Sequence, residues 1–188
     1  MSTRIYYVRH GQAVSNLKKW YYDDRSEPLT ELGRRQAEEA GRQLKELGIE
    51  FHEVFCSPYT RALETARYAL LAMGRDMAPI TIAEWLGERK YEGLYGKSIS
   101  PEDVRTLYDY NNDLSKEYGV ETLAEVEARA RKFINELREN YNRKNILIFA
   151  HGALGLSYRA VVEGVPKSGS LFDFNLLKNG EIMKLLVR

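Results

Sequence analysis

Three stretches of this chain place reactive side chains directly after runs suited to buried strands. Ile5-Tyr6-Tyr7-Val8 leads into Arg9-His10-Gly11. Glu53-Val54-Phe55-Cys56 leads into Ser57-Pro58, with Arg61 one helical turn further on. Asn145 to Ala150 leads into His151-Gly152. The chain has only three histidines, and two of them stand at such ends. In open α/β sheets, ligands bind outside the carboxyl ends of the strands. The chemistry these residues suggest is phosphoryl transfer. An imidazole can attack phosphorus and hold the group covalently, splitting one difficult displacement into two easier ones. Arginine offers a planar, permanently charged fork for the equatorial oxygens, and Arg9 and Arg61 are the candidates. The leaving oxygen needs a proton, for which the loop after the third strand offers Glu84, Glu88 and Glu92.

The elements that would carry these groups alternate. Thr30 caps an expected helix to about Leu47, with Leu32, Gln36, Ala40 and Leu44 along one face and Gly48 ending it. After the strand at Glu53 to Cys56, Pro58 fits the first turn of a helix from Tyr59 to Met73. Ile80-Thr81-Ile82 reads as a third strand, and Glu84 to Lys97 as a glycine-containing loop. Helices follow from Pro101 to about Asn111 and from Thr122 to Tyr141. The second carries Leu123, Val126, Ala130, Phe133 and Leu137 on one face. Asn145 to Ala150 is the most strand-like run, followed by a helix to about Glu163. Asn179-Gly180, between two mixed apolar runs, signals a C-terminal hairpin. The alternation implies a three-layer α/β/α sandwich with a mostly parallel sheet and an antiparallel C-terminal edge.

Composition fits that reading. The 188 residues suit one domain, with 44% hydrophobic and 29% charged residues. The 28 basic and 27 acidic side chains leave a net charge of +1, which argues against a general nucleic-acid binder. The lone Cys56 excludes an internal disulfide and a cysteine-rich zinc site, and is expected to be a buried structural thiol. Met1 to Arg9 lacks a signal-peptide core, and no apolar run reaches the ~20 residues that span a bilayer. A cytoplasmic protein without membrane contact is the expectation. No motif specifies an oligomeric state.

Further segments extend the pattern. Arg9-His10-Gly11-Gln12 is followed by Asn16, then by Leu29-Thr30-Glu31-Leu32-Gly33-Arg34-Arg35-Gln36-Ala37. Cys56-Ser57-Pro58-Tyr59-Thr60-Arg61-Ala62-Leu63-Glu64-Thr65-Ala66 comes next, then Leu86-Gly87-Glu88-Arg89-Lys90-Tyr91-Glu92-Gly93-Leu94-Tyr95-Gly96, then Phe149-Ala150-His151-Gly152. In this order the five blocks resemble the histidine phosphatase superfamily, the phosphoglycerate-mutase-like proteins. Together they span most of the chain.

The resemblance implies roles. His10 is the nucleophile that becomes phosphohistidine. Arg9, Arg61 and His151 complete the phosphate pocket, with Asn16 as a further donor. Glu88 is the general acid and then the base that activates water. No metal or organic cofactor is implied, and Arg34 and Arg35 stay outside the site. The expected protein is a single histidine-phosphatase-type domain over residues 1–188, with a short helical cap-like insertion at about 97–121. Its expected activity is metal-independent hydrolysis of small phosphomonoesters, a histidine acid-type phosphatase. Mutase-type transfer and a non-catalytic phosphate- or phosphoprotein-binding module are the alternatives. Mutases of the family are typically longer, with extra arginines for the substrate carboxylate. Here only Arg129 and Arg131 come near to pairing in residues 97–150.

Some positions depart from the family pattern. Ala13 stands where a hydroxyl is common, Gln12 where Glu is common, and Leu156 where Arg is frequent. His52 reads as an exposed loop residue. Trp20, Tyr21, Tyr22, Tyr91 and Tyr95 fit either ordinary packing of long loops or an aromatic mouth over the pocket.

Overall fold

A computed structural model describes residues 2–187 except 19, 20, 22, 23, 99 and 112. Five strands form one sheet: β1 (Thr3–Arg9), β2 (Glu53–Cys56), β3 (Thr81–Ile82), β4 (Asn145–Ala150) and β5 (Ile182–Val187). Their spatial order is β3-β2-β4-β1-β5. The first four run parallel and β5 pairs antiparallel with β1 at the edge. Helices α1 (Val14–Lys18), α2 (Glu31–Glu46), α3 (Thr60–Met73), α4 (Pro101–Leu107), α5 (Leu123–Asn140) and α6 (Gly152–Glu163) complete the regular elements. The molecule is the expected α/β sandwich.

Alternation along the strands makes the two outer layers. Tyr6, Val8, Val54, Cys56, Leu147 and Phe149 face α2 and α3, packing on Ala40, Leu44, Ala66 and Leu70. Ile5, Tyr7, Phe55, Ile146 and Ile148 face α5 and α6, packing on Val126, Phe133, Leu137, Leu154 and Tyr158. Period-2 burial on both faces is what a sheet covered by helices requires. The Cys56 thiol is buried, and burial pushes its pKa far up, as a structural thiol should behave.

Helix ends follow their caps. Thr30 Oγ1 accepts from Gly33 N–H at 3.1 Å, and Gly48 (φ 61°) lies just past the end of α2. Thr122 and Glu125 form a reciprocal capping box on α5. Of the expected face of α2, Ala40 and Leu44 are buried, joined by Gly33, Ala37 and Gly41, while Gln36 is half-buried and Leu32 is 45% exposed. The reason is close backbone contact. A Cβ on Gly33 would lie 2.1 Å from Gln12 O, and one on Gly11 would lie 2.2 Å from Gly33 O. The loop after β1 therefore presses directly on α2, and the helix turns its smallest residues toward it.

Other expectations shift. α3 starts at Thr60 behind N-cap Tyr59, so Pro58 precedes the helix instead of sitting in its first turn. α1 occupies part of the stretch read as loop, and two 3-10 turns (Glu84–Leu86 and Glu92–Leu94) form within the expected 84–97 loop. α4 stops at Leu107, because Asp109 turns to bridge Ser170. The expected C-terminal hairpin supplies only one strand. Gly180 (φ 76°) makes the turn, but residues 171–174 form a 3-10 turn capped by the Ser170 hydroxyl. Leu171 is thereby buried in a third cluster with Tyr21, Tyr91, Leu94, Leu107, Tyr108, Leu123 and Leu156. Leu156, where an Arg was the frequent alternative, fills this cluster as an apolar residue. Among the described residues, no helix is long and apolar enough to cross a membrane.

Candidate active site

The ends of β1, β4 and β2 meet at one rim of the sheet. His10 and His151 leave β1 and β4, which are hydrogen-bonded neighbours, and His10 N–H donates to Ala150 O at 2.9 Å. The two imidazoles lie 5.2 Å apart between centroids, tilted 64°. They are 2% and 0% exposed. His10 Nδ1 is 2.7 Å from Gly11 O. A carbonyl can only accept, so Nδ1 carries the proton and Nε2 holds the lone pair. His151 Nε2 is 2.7 Å from Ser57 Oγ, which also accepts from Tyr59 N–H at 3.3 Å. In the tautomer that carries the imidazole proton on Nδ1, the serine hydroxyl donates to Nε2. His151 Nδ1 is buried and has no hydrogen-bond partner.

Arg9 and Arg61 border the histidines. Arg9 Nη1 donates to Leu177 O, while its buried Nε is also without a partner. Two unpartnered buried donors on one rim are what an anion would satisfy. Gly152 keeps space beneath the guanidinium, since a Cβ there would lie 3.0 Å from Arg9 Nε. Arg61, in the first turn of α3, is 4% exposed. It donates to Asp24 O at 3.2 Å, lies 3.9 Å from the buried Glu27 carboxylate and covers the Tyr59 ring at 4.7 Å. Tyr59 in turn packs on His151 at 4.9 Å. Thr65 Oγ1 accepts from Gly11 N–H at 3.0 Å, locking the loop after β1 onto α3.

The three candidate acids separate clearly. Glu84 is exposed and pairs with Arg25 at 3.2 Å. Glu92 is exposed in a 3-10 turn. Glu88 is half-buried, and its Oε1 accepts from Arg89 N–H at 2.9 Å and from Leu154 N–H, in the first turn of α6, at 3.3 Å. Its charge acts on Arg9, Tyr7 and Arg129. Of the three, Glu88 is therefore the one held at the start of the helix that follows His151. Arg129, from α5, holds the loop by donating to Trp85 O at 2.8 Å and Gly87 O at 2.9 Å, while a bidentate pair with Glu121 fixes it in turn.

Asn16 lies at the same rim. Its Oδ1 accepts from Ala13 N–H at 3.0 Å and Asn179 Nδ2 at 3.2 Å, and Asn179 Nδ2 also donates to His10 O at 3.0 Å. With its oxygen so engaged, the Asn16 amide has its NH₂ group left to donate. Gln12 Oε1 receives the Thr30 hydroxyl at 3.0 Å. His52 is exposed; its Nδ1 accepts from Asn145 N–H, and its own backbone N–H donates to Asn145 O. Tyr21 and Tyr91 are buried against each other at 4.9 Å, and Tyr91 OH meets Tyr108 OH at 2.5 Å. They belong to a packed core beside Arg9, with Tyr95 half-buried against it. Trp20 and Tyr22 lie outside the described residues. Sequence reasoning did not assign Tyr7, Asn179 or the Ser57–His151 pair; a serine at a strand end was the one available signal.

Burial holds His10 well below the usual histidine pKa, and the charges of Arg61 and Arg9 hold it lower still. His151 is lowered by burial, then by Arg61 and His10. Both rings are thus neutral in the folded chain, while the unfolded chain protonates them below about 6.5. Below that pH the unfolded state binds more protons, so stability rises with pH there. The contribution is complete above about pH 6.5 and is lost as the pH falls below it. Thermal unfolding followed from pH 8 to pH 5 should show a falling midpoint, and His10→Asn should flatten the fall by about one proton's worth of slope. An equally steep curve in His10→Asn would contradict this origin.

Comparison with known proteins agrees with the geometry. Residues 5–187 match the family model described as histidine phosphatase superfamily, branch 1. The chain is 34% identical over 171 residues to a 2,3-bisphosphoglycerate-dependent phosphoglycerate mutase of Methylobacterium sp. strain 4-46, covering 86% of this chain and 80% of that relative. Among solved structures, a mycobacterial glucosyl-3-phosphoglycerate phosphatase in complex with VO3 superposes with a TM-score of 0.75 at 20% identity, covering 96% of this chain and 91% of the other. A phosphoserine phosphatase variant of Entamoeba histolytica, in complex with phosphoserine, superposes at 0.76 and 19% identity, covering 97% and 89%. These two show likeness of fold. A model match across almost the whole chain, on a sheet rim that gathers both histidines and both arginines, identifies the chain as a member of the histidine phosphatase superfamily.

Proposed function

We propose that the chain is a phosphomonoester hydrolase working through a phosphohistidine on His10. The observation that carries this reading is the His10 Nδ1 bond to Gly11 O at 2.7 Å, which leaves the Nε2 lone pair as the nucleophile. In the first step Nε2 bonds to phosphorus, the ester P–O bond breaks, and Glu88 gives its proton to the leaving oxygen. In the second, water attacks phosphorus, Glu88 takes its proton, and the N–P bond breaks to release inorganic phosphate. Arg9 Nε, Arg61, His151 Nδ1–H and the Asn16 amide are the donors for the phosphoryl oxygens. Low exposure makes such donors count for more than they would in water. Residues 97–121 act as a short helical cap beside this pocket, tied to the acid loop through Arg89.

A second reading, mutase-type transfer to another substrate oxygen, is favoured by the name of the curated relative. Chain length weighs little between the two, because the 171 matched residues already make up 80% of that relative. The arginines argue for hydrolysis. Arg129 is bound to Glu121 and to loop carbonyls, and Arg131 pairs with Glu127 one turn away on its own helix. Arg129 is thus fully engaged within the fold, and Arg131 is an exposed side chain on the surface of α5.

A broad screen of phosphomonoesters in the presence of EDTA, run beside a phosphoglycerate mutase assay, tests the proposal. Phosphate release from several esters with negligible mutase turnover is the expected result, and the reverse would install the mutase reading. Glu88→Gln should lower kcat/KM, which reports the step that breaks the ester bond, by about 10²–10⁴ for alkyl phosphates, whose leaving oxygen needs the proton. For a p-nitrophenyl leaving group the loss should be much smaller. Equal losses for both ester classes would remove Glu88 from the acid role.

A further inference from the structure

Tyr7 lies on β1, two residues before Arg9, and is fully buried on the sheet face covered by α5 and α6. Its ring packs on Tyr158 at 5.6 Å. Its hydroxyl, however, passes beyond the apolar layer to His151. It donates to His151 O at 2.7 Å and accepts from His151 N–H at 3.1 Å. One phenol thus engages both backbone polar groups of one residue.

The need for it follows from topology. β4 ends its ladder at Ala150, which is paired with Arg9. His151 then turns into the N-cap of α6 with extended backbone (φ −124°, ψ 166°). Its N–H therefore has neither a strand partner nor a helical carbonyl, in an interior without solvent. The hydroxyl supplies an acceptor. Its own proton goes to the carbonyl that also receives Gly155 N–H at 3.1 Å. Burial pushes the Tyr7 phenol well above its ordinary pKa, so the donor persists at working pH.

We propose that Tyr7 is a positioning residue for His151, fixing the backbone from which the second imidazole reaches the phosphoryl group. The imidazole itself has a single side-chain hydrogen bond, to Ser57. The clasp on its backbone and that bond together set where Nδ1 points. β1 then determines both histidines, His10 by the chain and His151 by the phenol three residues earlier. Gly155 gives the phenol room: a Cβ there would lie 2.9 Å from Tyr7 Cε1 and 3.4 Å from Cζ. A glycine inside a helix is normally unfavourable, and here it accommodates the ring.

The inference rests on the proposed phosphatase reading for its kinetic consequence but not for the clasp itself. Tyr7→Phe keeps the ring and removes the hydroxyl. In the full-length protein, kcat for p-nitrophenyl phosphate should fall about 10- to 100-fold with KM within about twofold, since a displaced donor costs the transition state more than the ground state. Inhibition by vanadate should weaken in parallel with kcat, while inhibition by inorganic phosphate stays within about twofold. The His151 amide should exchange with solvent deuterium at least about tenfold faster than in the parent. Gly155→Ala, which favours the helix but pushes on the ring, should lower kcat in the same direction. A Tyr7→Phe variant with kcat within about threefold of the parent overturns the positioning role. So does equal weakening of vanadate and phosphate. A parent chain that hydrolyses no phosphomonoester defeats the phosphatase reading, and unchanged His151 exchange in Tyr7→Phe defeats the clasp, so the two failures are read separately.

Discussion

Replacing His10 with Ala should lower kcat by on the order of 10⁴ or more, because in the proposed mechanism the step it removes is bond formation itself. Arg9, Arg61 and His151 would still bind phosphate, so the inorganic phosphate affinity of the variant should survive. Folding should survive as well. The His10 side chain makes one hydrogen bond, to Gly11 O beside it, and the loop is held by its backbone's bonds to Ala150 O, Gly180 N–H and the Thr65 hydroxyl. The covalent intermediate gives an independent readout. Parent protein mixed with a labelled phosphomonoester and quenched in alkali should carry a phosphoryl group on His10 that is lost in acid. A fully active His10→Ala variant, or label on another residue, would overturn the mechanism.

Arg89→Ala should produce the largest loss of stability, about 3–5 kcal/mol, or a fall in Tm on the order of 10 °C for a chain of this length. Arg89 is 2% exposed and spends its guanidinium entirely inside the protein. It donates to Glu121 O at 2.7 Å, Leu107 O at 2.5 Å and Ser115 Oγ at 2.6 Å. Ser115 Oγ passes the bond on to Asp113, whose carboxylate lies 3.9 Å from Arg89. The rings of Tyr91 and Tyr108 flank the cation at 5.6 and 5.3 Å. Truncation would strand two carbonyls, remove the cation beside Asp113 and leave a cavity. Arg89→Lys should recover little, because one ammonium cannot point along three fixed directions as the fork does. The backbone N–H of Arg89 holds the Glu88 carboxylate and survives both substitutions, but the guanidinium anchors the backbone that carries it, so turnover should fall together with Tm. Thermal unfolding and kcat measured on both variants check this; an Arg89→Ala Tm within about 3 °C of the parent would refute it.

Arg89 also marks the limit of what the sequence discloses. Strand ends, helix caps and periodic apolar faces are local, and they give the sandwich, the parallel sheet and the rim where His10, Arg9, Arg61 and His151 gather. Distant partnerships are not written in any window. Arg89 reads as one charge in a polar loop, yet its acceptors come from residues 107, 115 and 121. Tyr7 reads as core, because three apolar neighbours hide the destination of its hydroxyl. Asn179-Gly180 is correctly a turn, but its amide's contact with His10 depends on β5 lying beside β1. Leu32 fits a helical period and is exposed because Gly33 must approach Gln12, a constraint set by another segment.

The position of β1 between β4 and β5 has a consequence for how the chain acquires its shape. β1 is made long before either of its sheet neighbours, because β4 and β5 begin at residues 145 and 182. The hydrogen bond from Asn179 to His10 closes a separation of 169 residues. Loop entropy must be spent before such contacts give anything back, which slows folding. During synthesis the apolar β1 waits with both edges open, a state prone to wrong pairing. His10 thus stays uncoupled from the Asn179 contact and from its sheet neighbours until β5 has been made.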